Sequence, residues 1–200
     1  MITKPAKTTY PIHPVLRNRW SPRAFNGKAV PKALLLSLFE AARWAPSSSN
    51  EQPWRFVVGQ KGDATYNTIF ESLVEFNQLW AVTAPVLVVA IAKTTSSKNA
   101  GKANSAAIYD LGQAVSHLTF QAAADGLYVH QMGGFDAKKL AAALNVPEGY
   151  QVQTVNAIGY IGDPEQLHPN LKAMEFNERE RQSLSDLVFG NSFGETANFI

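Results

Sequence analysis

The stretch Ala84–Ala92, APVLVVAIA, is the longest uninterrupted apolar run in the chain and the tightest constraint on its fold. As a helix, nine residues fall far short of the roughly 30 Å of hydrocarbon that a membrane span must cross. A valine-rich run with no polar break instead suits a strand covered on both faces. The flanking segments supply covers. PKALLLSLFEAARWAP, 31–46, predicts a buried helix with Pro31 at its first position and Pro46 as its stop. PWRFVVG predicts a short strand ending at Gly59. From 63 to 80, Tyr66, Ile69, Phe70, Leu73, Phe76 and Leu79 recur at three- and four-residue steps, a helical period. An alanine-rich helix is predicted over 105–125, closed by Gly126, then a strand over 128–132, a helix over 136–144 and a strand over 152–160.

Strands separated by helices predict an α+β fold of mixed α/β layers. Residues 1–200 suffice for one domain that buries about 70% of its unfolded surface without a staple. The tail from about 167 is mostly polar, with an apolar patch at Leu184, Leu187, Val188 and Phe189. Such a segment cannot build a core alone and is expected to lie across another surface, such as a second subunit.

Composition removes several function classes. The chain has no cysteine, which excludes disulfides, thiolate ligands and cysteine nucleophiles and suits a reducing, cytoplasmic setting. A net charge of +2 is too small for a phosphate-backbone binder, so no nucleic-acid partner is expected. MITKPAKTTYPIHP has no apolar core of a secretory signal, and no membrane association is expected. Neither standard nucleotide loop is present, nor a G-x-S-x-G elbow. His13, His117, His130 and His168 are scattered without metal-ligand spacing, so no metal site is expected. No side-chain nucleophile or acid–base pair advertises itself, which points to chemistry carried by a cofactor.

Against this background the segment RNRWSPRAF, 17–25, gathers three arginines around a serine, an arrangement suited to an anion. Alone it would be no more than a solvated turn. It gains weight from APSSSNEQPW, 45–54, with its hydroxyls and amides at a helix end, and from Arg179 and Arg181 near the C-terminus.

These stretches together resemble the FMN-dependent nitroreductase family along nearly the whole chain. R-x-S-x-R-x-F followed by a helix and then A-P-S-S-x-x-x-Q-P-W carries the resemblance. It extends through Asp110-Leu-Gly112, Met132-Gly-Gly-Phe-Asp136 and Ala157-Ile-Gly-Tyr-Ile-Gly162. The resemblance implies a central mixed β-sheet flanked by helices, a homodimer with FMN at the subunit interface and a tail, about 167–200, that wraps the partner. It places Arg19 and Ser21 at the phosphate or ribityl end and Arg23 at the pyrimidine edge of the flavin. Pro46, Ser47, Ser48 and Asn50 would line the site, partly from the other subunit. Asn77 would face the ring, Gly133 and Gly134 would bring backbone near N5, and Arg179 and Arg181 would meet the phosphate.

The implied activity is ping-pong transfer of electrons from NADH or NADPH through FMN to nitroaromatics, quinones or similar acceptors. Enone reduction, dehalogenation and flavin storage without turnover remain as alternatives. Reduction places negative charge on the N1–C2=O edge, which a fixed cation such as Arg23 would favour. The chain departs from the family pattern at Trp80, where many relatives carry a basic residue, and at Gly133, where many carry an acid. The short loop 93–104 and an aromatic Trp80 at the pocket mouth predict an open, weakly selective pocket. Arg17 fits no motif position and is expected to be a plain surface charge.

Overall fold

The computed structural model describes residues 2–200. Four strands, β1 (Trp54–Gln60), β2 (Val86–Lys93), β3 (Tyr128–Met132) and β4 (Tyr150–Gly159), form one sheet in the order β1-β2-β4-β3. The apolar run is β2, beside β4 at the sheet's centre, and Val86 through Ala92 are all buried. Alternation along this strand divides the core in two. Val86, Val88, Ala90 and Ala92 pack with Leu35, Leu38 and Ala42 of α2 (Lys32–Arg43) and Leu111, Ala114 and Leu118 of α5 (Ala107–Ala124). Leu87, Val89 and Ile91 pack on the other face with Tyr66 and Ile69 of α3 (Ala64–Glu71), Trp80 of α4 (Glu75–Ala81) and Leu140 of α6 (Ala137–Ala143). The expected α+β layering is therefore present.

Two details differ from expectation. Within the chain the sheet is antiparallel throughout rather than mixed. α5 carries the chain from β2 to a strand of the same direction, but β4 inserts between the two, so the parallel pair never touches. The helical period over 63–80 is also broken, at residues 72–74. There Val74 N donates to Gly134 O at 3.0 Å and Asp136 N to Ser72 O at 2.8 Å. The loop after β3 thus takes the backbone groups that a continuous helix would have used. Leu73 and Phe135 form an isolated bridge at the same place.

Two short helices went unforeseen, α1 (Pro14–Asn18) and α7 (Pro169–Phe176). Each opens on His-Pro: the imidazoles of His13 and His168 accept from the backbone N–H two residues on, and proline occupies the first turn. α7 corrects the picture of the tail, because Leu171 and Glu175 are buried in this chain's own body. Beyond it, Leu184, Leu187, Phe193 and Phe199 are exposed. Among the described residues no helix is long and apolar enough to cross a membrane.

Candidate functional site

After α1 the chain runs extended past the outer strand β3. Trp20, Pro22 and Ala24 are buried, while Arg19, Ser21 and Arg23 are partly exposed. This is the two-residue alternation of an extended chain. It sets the two guanidiniums and the hydroxyl on one side, and R-x-S-x-R is the sequence form of that geometry. Trp20 is anchored edge-to-face on Tyr128 of β3, with ring centroids 6.2 Å apart. His130, two residues further, hydrogen-bonds through Nδ1 to Pro22 O at 2.9 Å. Because a carbonyl only accepts, Nδ1 carries the proton. Burial pushes His130 down to about 4, with the Pro22 bond opposing and the Arg23 charge reinforcing the shift.

The tail arginines come to the same place. Arg19 is half-buried, and its Nη1 reaches Ser21 Oγ at 3.4 Å. Its guanidinium is pushed below the usual arginine range by burial first, then by the charges of Arg179 and Arg181. Arg179 is pushed down in the same way, by burial and then by Arg181. Arg179 Nη1 donates to Lys4 O at 2.8 Å and Arg17 O at 2.9 Å, which pins the tail to the N-terminal arm and to α1. Among the described residues Arg181 bonds only its own neighbour, Glu180 O, at 2.6 Å. Among the described residues no carboxylate lies within 4.0 Å of Arg19, Arg179 or Arg181. Among the described residues these three cations repel one another with no carboxylate between them, an arrangement suited to an anion. Arg17, exposed as expected, also borders a cleft of about 640 Å³ between the N-terminal arm and residues 176–179.

Arg23, expected as a fixed cation, faces a carboxylate. Its Nη1 stands 3.9 Å from Oε2 of buried Glu175 on α7. Oε1 of the same carboxylate accepts from Arg23 N at 2.8 Å and Ala24 N at 3.1 Å. Glu175 was missed in the sequence; its only signal is an acid four residues after Leu171, on the buried stripe of a short helix.

Trp80 is also corrected. It is fully buried, stacked on Phe25 at 6.4 Å and tilted against the His130 ring at 4.4 Å, and so lines no pocket mouth. The indole fills the space between α4 and the extended segment, and so joins the arginine side to Asn77, one turn earlier. Asn77 is buried and donates from Nδ2 to Gly134 O at 2.9 Å. A Cβ on Gly134 would fall 2.8 Å from Asn77 Nδ2 and 3.0 Å from Val74 Cγ2, so that position is a close approach. A Cβ on Gly133 would meet nothing within 4 Å. The backbone there faces open space.

The remaining predicted residues, Pro46, Ser47, Ser48 and Asn50, lie elsewhere. Their loop enters β1, the opposite edge of the sheet from β3, about 14 Å away across three strand spacings. No hydrogen bond or ion pair among the described residues joins it to the arginines. The loop is strained: Ser49, Asn50 and Gln52 have φ of +52°, +54° and +49°. Each such residue costs on the order of 1–3 kcal/mol. Buried Asp110 at the start of α5 holds it by accepting from Ser48 N at 3.0 Å. Glu51 accepts from Ser96 Oγ and Ser97 N, both at 2.6 Å, and these bonds hold its carboxyl below the usual range. Lys98 caps Ser49 O. Loop 94–104 is thus tied to loop 47–52. Neither Asp110 nor Glu51 was singled out as a site residue, although both lie in quoted stretches.

The profile of the Nitroreductase family matches residues 16–160. An uncharacterised 15.4 kDa protein of Mycolicibacterium smegmatis is 30% identical over 148 residues, covering 70% of this chain and 97% of its own. A Ralstonia nicotianae protein provisionally named NADH dehydrogenase/NAD(P)H nitroreductase is 28% identical over 163 residues, covering 72% of this chain and 82% of its own. Among solved structures, one described as an oxidoreductase containing FMN superposes with a TM-score of 0.90 at 36% identity, over 95% of this chain and 96% of that one.

Proposed function

Since the chain belongs to the nitroreductase family, we propose that it is an FMN-dependent oxidoreductase drawing electrons from NADH or NADPH and passing them to nitroaromatics, quinones or similar electron-poor acceptors. The observation that carries this reading is the convergence of Arg19, Arg179 and Arg181, from both ends of the chain, with no carboxylate among them. That donor set fits a phosphate monoester, whose oxygens accept paired, charge-assisted bonds from guanidinium forks. Ser21 adds a hydroxyl beside Arg19. The FMN held by the 36%-identical oxidoreductase supports the choice of mononucleotide. When bound, FMN supplies two-electron transfer between the donor and the acceptor.

The protein's residues do the rest. Arg19, Arg179 and Arg181 bind the phosphate, and their mutual repulsion is relieved when they do. The open backbone at Gly133 admits a flat ring, while the Asn77–Gly134 bond fixes that wall. Arg23 offers its partly exposed guanidinium to the ring's polar edge. Protons come from water.

The protein works as a homodimer of single-domain subunits, 1–200. The strained loop bearing Pro46, Ser47, Ser48 and Asn50 serves the partner's site, and the tail beyond α7 lies on the partner. Support comes from the distance of that loop from its own arginines and from the exposed side chains of Leu36, Trp44, Ile108 and Tyr109 on or beside α2 and α5. The test is direct. Purified protein is expected to be yellow, and NADH or NADPH should bleach it anaerobically within the time of a turnover. A colourless protein that ignores added FMN refutes the proposal; a yellow one that bleaches only over hours is a storage protein.

A further inference from the structure

Glu175 is buried, lies on no quoted motif, and holds the arginine stretch from 150 residues away. Its two carboxylate oxygens behave differently. Oε1 is a backbone clamp, accepting from Arg23 N and Ala24 N. Among the described residues Oε2 has no hydrogen-bond donor, although it is buried and stands 3.9 Å from Arg23 Nη1. Arg23 Nε is likewise buried without a partner. The charges therefore face each other without closing into the bidentate fork that a purely structural pair would adopt. A clamp alone needs one acceptor oxygen, which glutamine would provide without burying a charge. Lys4 adds to the group, with Nζ on the Glu175 carbonyl at 2.8 Å and its own carbonyl bound by Arg179. Arg23 keeps a side chain 19% exposed, on the same side of the extended stretch as Arg19 and Ser21.

We infer that Glu175 is a positioning residue for the flavin site. It fixes Arg23 through the backbone and offsets its charge, so that the reduction potential of bound FMN is lower than an unpaired arginine would set. This rests on the FMN reading, and the tests separate the two. In the Glu175→Gln protein the backbone clamp survives and the charge is gone. Its FMN is expected to favour the reduced form at least tenfold more than wild type, an upward shift of about 30 mV for a two-electron couple. Arg23→Gln is expected to move the potential at least as far downward, because a buried carboxylate is left without its counter-cation. An unchanged potential in whichever of the two variants folds and turns yellow overturns the inference.

A second arm needs no flavin. Amide exchange in the apoprotein should show Arg23 and Ala24 N–H protected in wild type and in Glu175→Gln but not in Glu175→Ala. Exchange of both amides at unprotected rates in wild type overturns the clamp. A wild-type protein that binds no FMN refutes the proposed function and leaves the clamp to be decided by exchange.

Discussion

Gly134→Ala probes the wall of the site, and its cost can be worked from distances. The new methyl would stand 2.8 Å from Asn77 Nδ2 and 3.0 Å from Val74 Cγ2, both below van der Waals contact. Asn77 has to swing away, breaking its 2.9 Å bond to Gly134 O. Losing that bond leaves a buried amide without a partner, which costs about 1–3 kcal/mol. Overpacking against Val74 adds to this. The expected destabilisation is roughly 2–4 kcal/mol, or about 4–16 °C in Tm for a chain of this length. Thermal and urea unfolding of the apoprotein read it out. Asn77→Ala removes the near neighbour, so in that background Gly134→Ala should cost at least about 1 kcal/mol less. A Gly134→Ala protein within about 0.5 kcal/mol of wild type, or equal costs in the two backgrounds, would refute the packing argument.

Other outcomes follow from the same geometry. Gly133→Ala should leave apoprotein stability within about 0.5 kcal/mol, since its Cβ meets nothing in the chain, yet weaken FMN binding measured by fluorescence quenching. His130, neutral in the fold and pushed to about 4 from 6.5, should make wild type lose stability as pH falls from about 6.5 to 4, because only the unfolded chain takes up the proton there. The loss, read as the difference from His130→Gln in urea unfolding at each pH, should reach about 3–4 kcal/mol and level off below pH 4. Asp110→Ala removes the acceptor for Ser48 N in a loop already strained at three residues, and should cost about 1–3 kcal/mol and expose loop 47–52 to proteolysis.

Much of this fold could be read ahead because its signals are local. The run at β2, the alanine-rich period of α5 and the alternation of Arg19, Ser21 and Arg23 each need only neighbouring residues. The break at 72–74 could not, because it is made by hydrogen bonds from residues some sixty positions away, Gly134 and Asp136. α1 and α7 are too short for a period to declare itself, yet their His-Pro starts were available and unused. Glu175 stands four residues after Leu171 and Glu178 seven, both helical spacings, so the spacing alone does not say which acid turns inward; tertiary packing of α7 decides it. Trp80 was read as a pocket residue from a position in a motif, whereas the size of an indole beside a sheet favours burial. The separation of loop 46–50 from the arginines is likewise a matter of sheet order, which no single segment records.

The central claim is that guanidiniums from both ends of the chain bind one phosphate. Titrating apoprotein with FMN and with riboflavin, which lacks the phosphate, tests it most directly. At roughly 1.5–3 kcal/mol for each charge-assisted bond, FMN should bind at least about 100-fold tighter than riboflavin. The gap should narrow at high salt, and Arg181→Gln should close it by about tenfold or more. Equal affinity for the two compounds, or a gap untouched by Arg181→Gln and Arg19→Gln, would contradict the account.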